Sequence, residues 1–157
     1  METKEVILMK KQALQFFVFS FICFIAVFLF GSILGPLQKI YDDPKVMRNL
    51  NLFHNHFDQL CWLGAAAIGA VLYANRDRFN GSERILRLFT LSYMLGTAFF
   101  SFAFFVRALG LMIISKALEN GAYTGLLTIG GLFNIITIFS GIYIVTKILS
   151  GRTVAPY

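Results

Sequence analysis

The chain has 157 residues, of which 57% are hydrophobic and 14% are charged, and its formal net charge is +6. A soluble domain of this length could not bury 18 Phe together with its Ile and Leu, so the composition indicates lipid as the solvent. The positive charge does not indicate a nucleic-acid-binding protein, because the Lys and Arg occur in short clusters between apolar runs. They do not alternate with aromatic residues, as they do in proteins that bind single-stranded nucleic acid.

Four long apolar runs predict four transmembrane helices, over about 12–37, 51–74, 85–114 and 125–149. Each exceeds the roughly 20 residues that cross a hydrocarbon core. The first run follows Lys10-Lys11 but is too long for a signal peptide, so we predict an uncleaved helix that ends at Pro36. Because the runs are continuous and not alternating, a β-barrel is excluded. The sequence predicts one all-α domain over 1–157, a four-helix transmembrane bundle with antiparallel neighbours.

The distribution of Lys and Arg predicts how this bundle is oriented. The side that carries both termini holds nine of these residues and the other side holds five. Since basic residues are enriched on the cytoplasmic side, both termini are predicted to be cytoplasmic, in a prokaryotic plasma membrane. The nine are Lys4, Lys10, Lys11, Arg76, Arg78, Arg84, Arg87, Lys147 and Arg152, and the five are Lys39, Lys45, Arg48, Arg107 and Lys116.

The start of the second span is unusually polar for an apolar helix, with the sequence NLNLFHNHFDQLCWLGAAAIGA over 49–70. His54, Asp58 and Cys61 share one helix face, whereas His56 points about 200° away from His54. The two His therefore cannot reach one metal ion from a regular helix, and the chain has no third His. A closed zinc site formed by this chain alone is not expected, but a single axial ligand to haem iron is compatible with this pattern. Asn55 belongs to the same polar cluster.

Two residues of the third span offer partners for this cluster at the predicted outer boundary. Met112 is a candidate second axial ligand, and the alternative is the same His of another subunit. Arg107 has three possible roles: an ion pair with Asp58, contact with an anionic group such as a haem propionate, or snorkelling toward the membrane surface.

Small residues predict close approach of the helices. The run GAAAIGA over 64–70 is typical of tight helix packing, or of room for a porphyrin edge. Gly130, Gly131, Asn134 and Thr137 give the fourth span a similar small and polar face, which could hydrogen-bond across helices or line a pocket. Cys23 and Cys61 are predicted to be buried thiols and not a disulfide; Trp62 and nearby Phe could wall a haem.

One segment resembles a known family. The sequence His54-Asn55-His56, then Trp62 six residues on and Gly69 seven further, resembles the second helix of the catalytic subunit of haem–copper oxidases and nitric oxide reductases, and of its small relatives. The resemblance implies that His54, or else His56, is a ligand of haem b. Asn51 stands where that family often has Arg, and the histidines of its copper site are absent, so reduction of oxygen or nitric oxide is not implied.

Three functions are compatible with the sequence. The first is a small b-type haem protein that transfers electrons or senses a redox state or a gas, in association with a respiratory assembly. The second is a non-enzymatic membrane subunit or scaffold that binds a partner through Asp58, Arg107 and Trp62. The third is a proton or metal transport component that uses His54, His56 and Asp58. The predicted partners are the lipid bilayer and either a second copy of the chain or the other subunits of a larger membrane complex. The sequence motifs of common hydrolases and nucleotide-binding enzymes are absent.

Overall fold

The computed structural model describes residues 3–151, which contain no strand. Four helices account for nearly all of them: α1 (Lys4–Ile40), α2 (Pro44–Ala74), α3 (Glu83–Met112) and α4 (Ala117–Ser150). Each is long and apolar enough to cross a membrane, and the predicted all-α class with four long apolar helices is confirmed. Arg152, which contributed to the predicted orientation, lies outside the described residues.

The prediction that α1 ends at Pro36 is wrong. The helix begins at a cap, where the Thr3 hydroxyl accepts a hydrogen bond from the Val6 N–H, and it continues past Pro36 to Ile40. A proline removes one backbone donor but does not prevent the next turn from closing. Here that turn closes with a hydrogen bond of 2.9 Å from the Tyr41 N–H to the Leu37 carbonyl.

The second helix starts earlier than predicted and is not uniform. Asp43 caps it by accepting the Lys45 N–H at 2.7 Å, and Pro44 occupies the first helical position, where its missing N–H is not needed. The chain is α-helical over Pro44–His56 and again over Ala65–Ala74. Between them, Phe57–Gly64 forms a wider π-helical turn. We call Phe57–Gly64 the wide turn of α2.

Consecutive helices pack antiparallel, and α4 lies to one side. Along α3 and α4 the contacts run from Gly110 against Glu119, through Gly96 against Asn134, to Phe89 against Gly141. Within residues 3–151, the backbones of α1 and α4 do not approach each other. The helices α1, α2 and α3 therefore form a three-helix core, and α4 packs on the outer side of α3.

Two apolar clusters hold the helices together at opposite ends. We call the end with Lys4, the 75–82 loop and Ser150 the terminal end, and the end with the 41–43 and 113–116 loops the far end. The terminal-end cluster centres on Met9, Phe16, Leu86 and Tyr93, and the far-end cluster on Val46, Met47, Leu50 and Ala108. Many large apolar side chains of α1 and α4 remain exposed, including Phe21, Phe28, Ile138 and Phe139, as expected of a lipid-facing surface.

Candidate functional site

The wide turn of α2 offers backbone carbonyls that neighbouring helices use. The Tyr93 hydroxyl of α3 donates to the Leu60 carbonyl at 2.6 Å, and the Ser20 hydroxyl of α1 donates to the Trp62 carbonyl at 3.0 Å. Within lipid, such polar backbone groups require protein partners. A π turn inside an α-helix is frequent at functional sites, so this turn is a candidate functional feature of α2.

The two cysteines meet beside this turn. Cys61 is fully buried, its Sγ lies 3.9 Å from the Ser101 Oγ of α3, and the thiols of Cys61 and Cys23 of α1 are close enough to interact. Both are free thiols, as predicted. Ser101 in turn donates to the Thr97 carbonyl at 2.8 Å, so a small polar layer crosses the three-helix core.

The two histidines point to different helices, which confirms their predicted divergence. A side chain at Gly31 of α1 would come within 3.2 Å of the His54 ring, so His54 packs against α1. Its Nδ1 is buried without a hydrogen-bond partner among the described residues. His56 packs on α3, with ring centroids 5.4 Å from Phe100 and 5.0 Å from Phe104, and its Nδ1 donates to the Leu52 carbonyl at 2.8 Å.

Arg107 is directed toward α4. Its guanidinium carbon lies 4.6 Å from the centroid of the Tyr123 ring, a cation–π contact, and its Nε is buried without a partner in the described residues. Over residues 3–151, no ion pair or hydrogen bond reaches the side chain of half-buried Asp58. The suggested Asp58–Arg107 ion pair is therefore not formed in the structure.

The remaining predicted haem residues lie apart from one another. Met112 packs in the far-end cluster, whereas Trp62 contacts Phe24 of α1 with ring centroids 4.8 Å apart. Asn134 lies over Gly96 at the α3–α4 contact, and Gly69 packs against Phe16 of α1. Gly69 of α2 thus serves helix packing, whereas Gly131 of α4 has nothing within 4 Å of an added Cβ.

Because His54 faces α1 and His56 faces α3, the two histidines do not reach one iron within a single chain. A metal-bound histidine ordinarily donates its second ring N–H to an acceptor, which His54 lacks. His56 has such an acceptor, but its ring is packed against Phe100 and Phe104. Between residues 3 and 151 there is also no group of three or more His, Cys, Asp or Glu placed to hold a metal ion. Haem b stays a prediction.

A second polar feature of α2 lies on its exposed face, and of its residues only Asn55 was predicted as part of the polar cluster. Asn51, Asn55 and Gln59 follow one another four residues apart, and all three side chains are exposed. We call these three residues the amide stripe. Their i, i+4, i+8 spacing is readable in the sequence and could have revealed the stripe.

The depth of the amide stripe follows from the length of α2. Arg76 lies just beyond the end of the helix at Ala74, and about 20 residues counted back from Ala74 cross the hydrocarbon core. That count reaches Asn55. A helix that crosses the hydrocarbon core from Ala74 would therefore place Asn55 and Gln59 within its apolar depth and Asn51 at its boundary.

Comparison with known protein families, with curated proteins and with solved structures finds no match to this chain. Its function is therefore argued from the geometry.

Proposed function

We propose that this protein is a non-enzymatic membrane subunit that associates with a second copy of itself through the amide stripe of α2. The observation that carries the proposal is the exposure of Asn55 and Gln59 at a depth where a lipid-facing helix is normally apolar. An amide facing hydrocarbon leaves its donors and acceptor unsatisfied, and this is unfavourable unless another helix supplies partners.

The chemistry of the stripe favours a copy of the same surface as the partner. Asn and Gln side chains each carry donors and an acceptor, so two identical stripes can satisfy each other across a two-fold axis. The stripe itself carries no charge. Half-buried Asp58 lies beside it and can accept hydrogen bonds from the amide groups of the second copy.

Cysteine cross-linking in membranes tests this contact. In a Cys23→Ala/Cys61→Ala background, we expect Asn55→Cys and Gln59→Cys to form disulfide-linked dimers of this chain on mild oxidation. Ile129→Cys is the matched control, because Ile129 is an exposed residue near the same end of α4. Equal cross-linking at Ile129, or products only with other proteins, would contradict self-association through the stripe.

The amides themselves are tested by replacement. Interhelical hydrogen bonds in membranes contribute about 0.6–2 kcal/mol, so Asn55→Leu/Gln59→Leu is expected to weaken dimerisation about tenfold. The measurement is energy transfer between two labelled populations of the protein in vesicles. Asn80→Leu, an exposed amide in the 75–82 loop, is the control and should not alter the transfer.

The haem hypothesis has its own measurement. An oxidised and a reduced visible spectrum of the purified protein, after expression with haem supplied, would reveal a Soret band. A band that disappears in His54→Ala or His56→Ala would replace the scaffold proposal with a b-type haem protein. Unchanged dimerisation in both histidine variants is what the scaffold proposal expects.

A further inference from the structure

A groove of ≈ 660 Å³ opens between α1 and α3 in the terminal half of the molecule. The two helices run parallel and touch where Phe16 meets Tyr93, with ring centroids 5.4 Å apart. Residues of α1 between 11 and 22 and residues of α3 between 87 and 94 line the groove. It is separate from the amide stripe, which lies on α2.

The lining of the groove changes along its length from charged to apolar. Lys11 and Arg87 lie at the terminal end of the groove. The polar residues Gln12, Gln15 and Thr90 follow within about one turn, and the remaining lining residues are apolar. Over the 12 positions from Lys11 to Ile22 the helix rises roughly 16 Å. This gradient matches an amphiphile that lies along the helices with its headgroup at the membrane surface.

The charges at the mouth favour an anionic headgroup. Lys11 has no ion-pair partner among residues 3–151. Arg87 contacts Glu83 through Nη2, yet its side chain is still 59% exposed, and Glu83 also contacts Lys4 at 3.4 Å. Two cations thus share the Glu83 carboxylate, and Lys11 adds a further positive charge at the mouth, which therefore carries an excess of positive charge.

Gln12 provides independent support for a ligand. Its side chain lines the groove, the residue is only 3% exposed, and no described residue hydrogen-bonds to its amide. A largely buried amide without a protein partner keeps donors and an acceptor free for a group that enters the groove. Phosphate and ester oxygens of a lipid are acceptors that the Gln12 amide can reach from the wall of the groove.

We infer that this groove binds one anionic phospholipid from the leaflet at the terminal end. Its phosphate lies between Lys11 and Arg87, Gln12 donates to an oxygen of the headgroup or ester region, and one acyl chain lies along Val18, Ile22 and Met94. The inference does not depend on the proposed self-association, because it rests on other helices and on the opposite half of the molecule.

The experiment measures lipid retained by the intact protein. The protein is purified from vesicles of phosphatidylcholine with a minor fraction of phosphatidylglycerol, and native mass spectrometry counts the phosphatidylglycerol per chain. We expect Lys11→Gln/Arg87→Gln to lower its occupancy about tenfold, since each basic residue near the surface attracts anionic lipid. Arg78→Gln/Arg84→Gln removes the same charge from exposed residues at the same end and should leave occupancy unchanged.

A second pair of variants tests the groove without altering charge. Val18→Trp fills the apolar part of the groove and should expel the lipid, whereas Phe17→Trp, on a neighbouring exposed position outside the lining, should not. Equal loss in both charge variants would show general attraction to the surface and overturn the inference. Equal retention of phosphatidylcholine, or no retained lipid in the unaltered protein, would overturn it as well.

Discussion

Gly64 lies in the wide turn of α2 with no room for a side chain. A Cβ at this position would stand 2.4 Å from the Tyr93 hydroxyl oxygen. That hydroxyl cannot simply move aside, because it donates to the Leu60 carbonyl, and Tyr93 is buried in the terminal-end cluster. A single glycine therefore permits the hydrogen bond that joins α3 to the wide turn.

We expect Gly64→Ala to lower the free energy of unfolding by about 1–3 kcal/mol, because the added methyl group displaces the Tyr93 hydroxyl. In a Tyr93→Phe background the clashing oxygen is absent, so Gly64→Ala should lower the free energy of unfolding by much less. Thermal unfolding in detergent micelles, followed by circular dichroism, measures both effects. Gly131→Ala, where nothing lies within 4 Å of the added methyl group, should be neutral or stabilising. Additive effects of Gly64→Ala and Tyr93→Phe would contradict this coupling.

At the scale of elements, the contact between α3 and α4 depends on glycines of unequal importance. A Cβ at Gly130 would lie 2.8 Å from the Phe100 backbone nitrogen, whereas a Cβ at Gly96 would meet the end of the Asn134 side chain. A side chain can rotate away, but a helix backbone cannot shift without separating the helices. Thr137 adds a hydrogen bond of 2.9 Å to Ser92 across the same contact.

From this difference, Gly130→Val is expected to destabilise the protein by about 1–3 kcal/mol, and Gly96→Ala by less. Because α4 packs on α3 and not on α1, loss of this contact should release α4 before the three-helix core unfolds. Limited proteolysis in micelles would then cut Gly130→Val first in the 113–116 loop or within α4. Gly131→Val is the neighbouring control, and cleavage equal to that of Gly130→Val would argue against the packing described.

The elements also show which features a sequence can supply. Four apolar runs were enough to predict four helices and their antiparallel order, and helical spacing separated His54 from His56. Hydropathy could not place the start of α2, because a helix begins where it is capped, at Asp43, and not where it becomes apolar. The wide turn depends on donors from Tyr93 and Ser20 of other helices, and no local pattern reveals these. The direction of Arg107 toward Tyr123 likewise depends on where α4 packs.

At the scale of the whole molecule, basic residues gather at the terminal end. Lys4, Lys10, Lys11 and the Arg residues of the 75–82 loop and of the first turns of α3 lie there, whereas the far end holds fewer basic residues together with Asp42 and Asp43. This asymmetry supports the proposal that the terminal end faces the cytoplasm.

Labelling with a membrane-impermeant maleimide tests that orientation. In a Cys23→Ala/Cys61→Ala background, we expect Asp42→Cys to be labelled in intact cells and Arg78→Cys only after the membrane is opened. Ser150→Cys should behave like Arg78→Cys, because four crossings return the chain to the side on which it began. Labelling of Arg78→Cys in intact cells would reverse the assignment, and opposite behaviour of Ser150→Cys and Arg78→Cys would contradict four crossings.

The length of α1 has a consequence for where the protein resides. No charged residue lies between Lys11 and Lys39, and at ~1.5 Å per residue this stretch extends roughly 40 Å, against a hydrocarbon thickness of about 30 Å. A helix of this length tilts in a thin bilayer or thickens the lipid around it, and both responses are unfavourable. Since α1 packs along α2, a tilt of α1 carries its neighbour with it and widens the area that the protein occupies in the membrane plane. We therefore expect the protein to concentrate in the thicker regions of a membrane whose thickness varies.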